Sequence, residues 1–493
     1  MFGLIGMTDG YKLDHRRQYP VGTEYVYSNF TARSTRIGGQ DAVIFFGLQR
    51  FLMKYFTYQA IATFFDEPAK AVRDAYREFL RSYLGEQAGA MVGTDHIMAL
   101  HKLGYLPLEI RALPEGTAVP YRVPMLTIEN THPDFFWLTN YFETLLSCNL
   151  WLPCTSATTA LRYRKILTHY SSLTTGKIDL VPYQGHDFSF RGLEGVEGAE
   201  LSGAGHLLSF LGTDCIPAIQ MLKEDYFGTG TIGISVPATE HSVMCAGGQG
   251  DELATFARLL DLYPSGYISI VSDTWDLWKV LGTYLPTLKE KILDRDGALI
   301  IRPDSGDPVL ILTGDASATP GSLQHKGVVE SLWDIFGGAV SPTGYKVLDS
   351  HIGTIYGDSI TVERAQAICE RLKEKGFAST NVVFGIGSYT YQYVTRDTNG
   401  FAMKATWAQV NGEERLLQKD PVTDTSGKKS ARGRLVVVQD KDGLRLIDGL
   451  TKKEQEGYGT VDLLQPVWRD GNFMLGRTLT LAEIRQRVAS LVR

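Results

Sequence analysis

The stretch ALIIRPDSGDP, residues 298–308, decides how this chain of 493 residues is interpreted. Its first half has the composition of a buried strand, and it runs directly into Arg302, Asp304 and Asp307. A solvated turn is the simplest explanation of an isolated charged segment of this kind. The alternative is that the strand delivers a guanidinium and carboxylates to a binding site. The rest of the chain distinguishes the two.

Other segments of the central part of the chain repeat this pattern of an apolar run that ends in small or charged residues. Stretches of helical length separate them, and strand–helix alternation predicts parallel strands joined by crossover helices. Such folds bind ligands at the carboxyl ends of their strands, where each of these runs carries its polar cluster. A single run of this kind indicates a turn, but the whole set predicts the rim of a barrel. The runs are residues 177–192, 206–214, 231–242, 267–276, 298–307, 345–360 and 381–388.

We therefore predict an α/β protein with an irregular (β/α) barrel of parallel strands at residues 151–390. Residues 1–150 and 391–493 together predict a second, discontinuous α+β domain, because they mix alternating strand patterns, as in 24–33, with helical spacing, as in 71–84. An open doubly wound sheet is the alternative to the barrel.

Composition narrows the class of protein. Lys and Arg number 49 against 55 Asp and Glu, a net charge of −6, so the chain lacks the basic surplus of a nucleic-acid-binding protein. An anionic substrate would need a local basic pocket. The 5 cysteines have no CxxC spacing, which favours a reducing compartment over a disulfide framework or a structural zinc site. The sequence shows no signal-peptide pattern and no long apolar segment, so we expect a cytoplasmic protein without membrane or nucleic-acid partners.

The side chains at the predicted strand ends suit a phosphorylated sugar. Arginines present planar, permanently charged forks that match phosphate oxygens, and glycine turns let backbone amides approach a phosphate. Carboxylates can accept hydrogen bonds from adjacent sugar hydroxyls, and a histidine can accept a phosphoryl group. Each residue alone has an ordinary structural explanation, but jointly they predict one pocket. They are Arg191, Arg302, Arg396, Asp304, Asp358, His241, Gly357 and the turn at 384–388.

These residues lie in short motifs that also follow one another in a recognisable order. The motifs are TDGYKLDHRRQYP (8–20), FFGLQ (45–49), HDFSFRG (186–192), GTD (212–214), SVPATEHS (235–242), VSDTWD (271–276), IIRPDSGDP (300–308), YGDSI (356–360), FGIGS (384–388), TRD (395–397) and QKDPVTD (418–424). In order and spacing they resemble the nicotinamide phosphoribosyltransferase family, nearly from end to end. The resemblance implies transfer of phosphoribose from phosphoribosyl pyrophosphate to nicotinamide. It also implies an irregular α/β barrel with a second domain, in a homodimer whose active sites draw residues from both subunits.

The resemblance further assigns roles to residues of this chain. Pyrophosphate would be held by Arg191, His241 and Arg302. The ribose phosphate would be surrounded by Arg302, Asp304, Gly357, Asp358, Ser388 and Arg396. The nicotinamide ring would lie between Phe188 and, from the other subunit, Tyr11. Phosphates would be contacted across the dimer by Arg33, Lys404 and Lys419. The predicted catalytic residues are His241, Asp304 and Arg302, and the substrate-binding set also includes Asp214, Ser235 and Gly387.

Two cofactors follow from the same resemblance. His241, which stands beside Glu240 in its motif, matches a phosphorylatable histidine through which ATP hydrolysis is coupled to synthesis. Mg²⁺ would be held mainly through pyrophosphate oxygens, so no dedicated protein metal site is expected.

Asp214 bears on the choice of substrate. A carboxylate can accept a hydrogen bond from a carboxamide NH₂, whereas it would repel the carboxylate of nicotinate. The alternative function is nicotinate phosphoribosyltransferase. More distant alternatives are a barrel isomerase or aldolase and a binding protein that retains the fold. Ser388 and Tyr389 replace glycines of animal members of the family, which weakens the predicted phosphate contact there.

Overall fold

The computed structural model describes residues 3–357, 359–419 and 430–492. The strands are β1 Thr23–Ala32, β2 Ala42–Ile44, β3 Leu108–Ala112, β4 Ala118–Pro120, β5 Pro124–Asn130, β6 Gly185–Asp187, β7 Gly212–Thr213, β8 Ile268–Val271, β9 Leu299–Arg302, β10 Gly338–Val340, β11 Lys346–Leu348, β12 Ile352–Tyr356, β13 Val382–Ile386, β14 Phe401–Val410, β15 Glu413–Leu416, β16 Arg434–Asp440, β17 Gly443–Leu450, β18 Gln465–Arg469 and β19 Asn472–Phe473.

The α-helices are α1 His15–Gln18, α2 Leu48–Phe51, α3 Ala69–Leu84, α4 Glu86–Val92, α5 Asp95–Leu103, α6 Leu138–Tyr141, α7 Glu143–Thr175, α8 Val181–Gln184, α9 Gly195–His206, α10 Ile216–Asp225, α11 His241–Gly247, α12 Glu252–Leu262, α13 Leu277–Lys279, α14 Leu285–Leu293, α15 Pro308–Thr313, α16 Leu323–Phe336, α17 Val362–Glu374, α18 Ser388–Tyr391, α19 Lys452–Gly457 and α20 Leu481–Ala489. Segments with π-helical hydrogen bonding are Leu52–Gln59, Ile61–Phe65 and Val280–Tyr284. Short 3₁₀ turns are Gly3–Gly6, Gly10–Asp14, Pro133–Phe135, Phe190–Gly192, Gln249–Asp251, Ser379–Asn381, Arg396–Thr398, Gly459–Val461 and Ser490–Val492.

The chain forms two compact units, each with its own apolar core. Unit 1 comprises residues 1–155, 224–228 and 395–487, and unit 2 comprises residues 156–223, 229–394 and 488–493. Among the residues that the structure describes, no helix combines the length and the apolar character that crossing a membrane requires.

Unit 1 is built on an antiparallel sheet in the order β15-β14-β1-β5-β3-β18-β19. At its centre the long strands β1 and β14 pair in the register Asn29 to Lys404 and Thr31 to Ala402. The core of this unit contains several fully buried aromatic side chains, among them Trp468 and Phe30. Residues from both ends of the chain therefore share one sheet.

Unit 2 contains a parallel sheet in the order β7-β6-β13-β12-β9-β8. The strands are short and buried, and helices separate them along the chain, as strand–helix alternation predicted. The predicted α/β class with parallel strands is confirmed. The carboxyl ends of all six strands lie at one edge of the sheet, because the strands are parallel.

Residues 231–242 differ from the sequence-based expectation. They contain no regular strand, yet they contact both edge strands of the sheet. Ile234 forms a parallel bridge with Gly212 of β7, and Ala238 forms another with Ser269 of β8. Four backbone hydrogen bonds of 2.7–3.0 Å accompany these bridges. We call residues 234–238 the closing segment, because it links the two edges and gives the sheet the character of an irregular barrel.

The charged end of β9 serves two purposes. Asp307 caps α15, since its carboxylate accepts hydrogen bonds from the backbone N–H groups of Val309 at 2.8 Å and Leu310 at 3.4 Å. Pro308 follows as the first helical residue, where its lack of an N–H has no cost. Arg302 and Asp304 remain at the strand end. Asp307 therefore belongs to a turn that caps a helix, whereas Arg302 and Asp304 are the candidates for a binding site.

Candidate functional site at the strand ends of unit 2

Residues that follow five of the six parallel strands form one continuous set of contacts. Because these strands run in the same direction, the residues after each of them reach the same edge of the sheet. Those with polar or aromatic side chains are Phe188 after β6, Asp214 after β7, Asp273 after β8 and Asp304 after β9, and Gly357 follows β12.

Arg302, Asp304 and Gly357 lie against one another. A Cβ atom at Gly357 would lie 2.9 Å from Arg302 Nε and closer still to Asp304 Oδ1, so only glycine fits there. The backbone N–H of Gly357 donates to the carbonyl of Pro303 at 3.1 Å, which fixes this approach. Within the described part of the chain, Arg302 Nε is buried without a hydrogen-bond partner. A buried donor of this kind suits an anionic ligand.

Asp273 lies within the candidate site, although sequence reasoning assigned it no role. Its carboxylate is 5% exposed and accepts hydrogen bonds from the backbone N–H of Asp304 at 2.8 Å and from Ser305 Oγ at 2.6 Å. Its other oxygen lies 3.5 Å from His241 Nε2. One buried carboxylate thus holds residues 304–307, which we call the DSGD loop, and faces His241. The signal was present in the VSDTWD motif, where an acidic residue follows a buried strand.

His241 is the first residue of α11, and its side chain is 49% exposed. The sequence-based hypothesis connected it with the adjacent Glu240. Instead, the Glu240 carboxylate accepts a hydrogen bond from Ser242 Oγ, and Asp273 is the acid that faces the imidazole. The ring is therefore accessible on one side and oriented by an anion on the other.

Asp214 is held by two hydrogen bonds. Its Oδ1 accepts from His186 Nε2 at 2.9 Å and from Ser235 Oγ of the closing segment at 2.7 Å. Burial raises the pKa of Asp214, but the hydrogen bonds from His186 and Ser235 and the positive charge of Arg302 lower it by more, so the pKa lies below the ordinary value of an aspartate. Asp214 is therefore ionised at neutral pH. Because a carboxylate only accepts hydrogen bonds, His186 Nε2 carries a hydrogen.

Phe188 connects the acidic part of the site with the basic part. Its ring lies 4.4 Å from the His186 ring and 5.0 Å from the guanidinium carbon of Arg302, as measured to its centroid. The backbone N–H of Phe188 donates to the carbonyl of Ile386 in β13 at 2.9 Å, which fixes where the ring begins. An aromatic ring beside an ionised acceptor suits a flat ligand that carries a hydrogen-bond donor.

A buried network supports the β6 end. Asp187 Oδ1 accepts hydrogen bonds from the backbone N–H of Ser189 at 2.9 Å and from its hydroxyl at 2.6 Å. Nearby, burial lowers the pKa of His206, so this histidine is neutral. Its Nε2–H donates to the carbonyl of Gly212 at 3.0 Å, and its Nδ1 accepts from the hydroxyl of Tyr391 at 2.7 Å. Sequence reasoning did not identify this support.

The glycine-rich turn after β13 lies close to the turn that carries Arg191. Gly387 precedes Ser388, the first residue of α18. A side chain at Gly192 would collide with Ser388, so the two turns approach as closely as glycine permits. Arg191 itself is exposed. It is therefore available to a ligand.

The remaining predicted residues are not among these contacts. Asp358 lies outside the described residues. The exposed residues Tyr11, Arg33, Arg396, Lys404 and Lys419 belong to unit 1.

Comparisons with known proteins identify the family of this chain. A family described as the nicotinate phosphoribosyltransferase (NAPRTase) family matches residues 183–471. The N-terminal domain of nicotinamide phosphoribosyltransferase matches residues 3–110. A protein of Acinetobacter baylyi named nicotinamide phosphoribosyltransferase is 52% identical, over 98% of this chain and 97% of its own length. The chain belongs to the nicotinamide phosphoribosyltransferases, within the nicotinate phosphoribosyltransferase family. It is an enzyme of the phosphoribosyltransferase class.

Further relatives cover most of the chain as well. A protein of the same name from Xanthomonas campestris pv. campestris is 34% identical over 98% of this chain and 97% of its own length. One from Mycoplasma pneumoniae is 36% identical over 86% of this chain and 94% of its own. Among solved structures, human nicotinic acid phosphoribosyltransferase has a TM-score of 0.57 at 17% identity, covering 98% of this chain and 93% of its own. The nicotinate-nucleotide pyrophosphorylase of Pyrococcus furiosus has 0.57 at 15%, covering 99% and 94%. These two structures show a shared fold.

Within unit 2 the contacts connect most of the described predicted residues that this unit contributes. They run from His241 through Asp273 to the DSGD loop, and from there through Gly357 and Arg302 to the ring of Phe188. His186, Asp214 and Ser235 complete the series. The roles of the individual residues stay predictions.

Proposed function

We propose that the protein transfers the phosphoribosyl group of phosphoribosyl pyrophosphate to nicotinamide, giving nicotinamide mononucleotide and pyrophosphate in the salvage of NAD. Family membership supports the reaction class. The environment of Asp214 supports nicotinamide as the acceptor, and it is the observation that carries the proposal.

Asp214 can recognise a carboxamide because it is an ionised acceptor fixed in place. His186 and Ser235 both bond to Oδ1, and the second oxygen, Oδ2, takes part in neither of these bonds. A nicotinamide ring placed against Phe188 would donate its amide N–H to this carboxylate. Nicotinate would bring a second carboxylate to the same place, and the repulsion would exclude it.

The other residues of the site would stabilise the departing anion. The C–O bond between ribose and diphosphate breaks with its electron pair on the diphosphate, and the pyridine nitrogen supplies the pair of the new C–N bond. This nitrogen has no proton to lose, so a general base is not required. Catalysis then depends on positioning and on charge stabilisation, for which Arg302 and Arg191 are suited. Asp304, beside Gly357, would accept hydrogen bonds from the ribose hydroxyls.

Magnesium is compatible with these residues as an ion held mainly by substrate oxygens. Among the described residues, no three His, Cys, Asp or Glu side chains come close enough to form a metal site of their own. An ion of this type keeps waters and phosphate oxygens as ligands and needs only one or two carboxylates, which Asp304 could provide. When bound, it would neutralise part of the charge of the diphosphate.

We assign the coupling of ATP hydrolysis to His241. In this proposal the imidazole takes the terminal phosphoryl group of ATP, ADP leaves, and water later releases phosphate. The half-exposed ring and its orientation by Asp273 support this role, because a nucleophile must be both accessible and aimed.

Dimerisation and a cytoplasmic location are part of the same proposal. Exposed Tyr11 and Lys404 would serve the active site of a second subunit. Within the described chain none of the five cysteines forms a disulfide, which suits a reducing compartment.

The proposal is tested by supplying phosphoribosyl pyrophosphate and Mg²⁺ with nicotinamide and nicotinate in parallel and separating the mononucleotide products by chromatography. We expect nicotinamide mononucleotide to form faster than nicotinate mononucleotide, and we expect its rate of formation to rise when ATP is added. Faster formation of nicotinate mononucleotide would contradict the choice of acceptor.

A second comparison tests the coupling. His241→Ala should remove the stimulation by ATP, whereas the matched control His169→Ala, at an exposed histidine of α7, should retain it. Full stimulation of the His241 variant would refute the role assigned to this residue.

A further inference from the structure

A cavity of about 310 Å³ in unit 1 has a strongly basic lining. It lies along β1 and β14, and three cations line it: Arg33, Arg122 and Lys404. No Asp or Glu occurs among the described residues that line it. The sequence assigned phosphate contacts to Arg33 and Lys404 and no role to Arg122.

The backbone brings these three residues to one place. The N–H of Arg122 donates to the carbonyl of Ala32 at 2.8 Å, so Arg122 is attached to the strand one residue before Arg33. Lys404 is opposite Asn29 in the neighbouring strand. Arg33 Nε donates to the carbonyl of Gly400 at 3.2 Å, which fixes the direction of that side chain.

Among the described residues, no carboxylate forms an ion pair with these three cations. Arg33, Arg122 and Lys404 are all exposed, and the ion pairs of the described residues include none of the three. A second cavity next to Arg122 is lined by Arg432 but also by Asp448. The first cavity, which no described Asp or Glu lines, is therefore the better place for an anion.

Arg122 occupies an unusual backbone conformation. Its φ of +72° lies in the left-handed region, where glycine is the ordinary residue and a side chain is strained. Residues held in such backbone conformations cluster at active sites and ligand-binding sites. At this turn the side chain adds a third positive charge to the cavity.

We propose that Arg122 binds phosphate together with Arg33 and Lys404, so that this cavity takes a chain of two or three phosphates. The inference rests on the proposed function, since the phosphates would be those of phosphoribosyl pyrophosphate or of ATP. A planar guanidinium can contact two phosphate oxygens at once, and Thr31 and Asn29 also line the cavity. Arg122 is then a substrate-binding residue of this chain in addition to those that the motifs predict.

The test uses the full chain with Arg122→Gly and Arg122→Asn. Both residues accept the left-handed backbone and remove the charge, so neither should lower the melting temperature. Titration calorimetry with inorganic tripolyphosphate should show binding weakened about tenfold, the effect of one lost charge-assisted contact. Arg122→Lys should restore part of the affinity. Arg415→Gln, at an exposed arginine of β15 outside the cavity lining, is the control and should bind as the wild type does.

Kinetics identify the source of the phosphates. A higher KM for phosphoribosyl pyrophosphate in the Arg122→Gly variant assigns the cavity to that substrate. A shift only in the ATP concentration that half-maximally stimulates the reaction assigns it to ATP. Unchanged tripolyphosphate binding in both charge-removing variants would overturn the inference, even with an active wild type. A wild type that makes no nicotinamide mononucleotide would instead overturn the proposed function, and tripolyphosphate binding would still decide the role of Arg122.

Discussion

Asp214→Asn should convert a selective enzyme into a permissive one. The substitution keeps the size of the side chain and an oxygen that can accept from His186 and Ser235. It removes the negative charge and adds an NH₂ group that can donate to a carboxylate. We therefore expect the preference for nicotinamide over nicotinate, expressed as the ratio of their kcat/KM values, to fall.

The size of the change follows from the charge and the exposure of Asp214. Two unit charges about 4 Å apart repel by about 1 kcal/mol in water and about 4 kcal/mol near a protein surface. Asp214 is 47% exposed, which places its repulsion of a bound nicotinate between these limits. A value of about 2 kcal/mol corresponds to a change of about thirtyfold in the ratio.

The assay is a competition between the two pyridines at neutral pH, with both mononucleotides measured in the same sample. Ser235→Ala is the control, because it removes one hydrogen bond to Asp214 and leaves the charge in place. A ratio in Asp214→Asn that stays within about twofold of the wild type, only about 0.4 kcal/mol, would refute the charge argument.

Three further predictions concern other parts of the structure. Gly357→Ala should lower kcat/KM, measured by steady-state kinetics, about a hundredfold, because the added methyl group displaces Arg302 and Asp304. The control is Gly457→Ala, whose Cβ would enter open space and which should behave as the wild type does. An equal loss of kcat/KM in the control would contradict the steric argument. Asp273→Asn should lower the free energy of unfolding in urea by about 2 kcal/mol, because residues 304–305 lose a charged hydrogen-bond acceptor. It should also reduce the stimulation by ATP, because the acid that faces His241 is lost. An unchanged response to ATP would show that Asp273 does not support the role proposed for His241. Burial raises the pKa of Glu115 from 4.5 to about 6, so the folded protein holds this proton more tightly than the unfolded chain does. The free energy of unfolding should therefore fall by about 2 kcal/mol as the pH rises from 4.5 to about 6. Urea unfolding of Glu115→Gln at both pH values should lack this fall, and a pH dependence identical to that of the wild type would refute the role of Glu115.

The sequence predicted the fold class because the ends of buried strands can be recognised from a few neighbouring residues. An apolar run such as 298–301 followed by charge needs no knowledge of distant residues, and its repetition implies parallel strands. Residues 231–242 were harder to interpret. Their β-rich composition indicated a strand, whereas they bridge two edges without forming one, because edge geometry depends on the whole sheet.

The partners of the site residues were beyond prediction for the same reason. His186 lies 28 residues before Asp214, and Asp273 lies 31 residues before Asp304. Sequence proximity suggested Glu240 as the partner of His241, but the Glu240 carboxylate instead accepts a hydrogen bond from nearby Ser242. Residue types at strand ends can be read directly, whereas pairings between strands require coordinates.

The closing segment has a consequence for how mutations would behave. It carries Ser235, which bonds to the acid that would select the pyridine, and three residues after its end comes His241. Under the proposed function, the choice of acceptor and the coupling to ATP would therefore both depend on the closing segment. A substitution that loosens this segment should disturb both properties together, so evolution could not easily change one without changing the other.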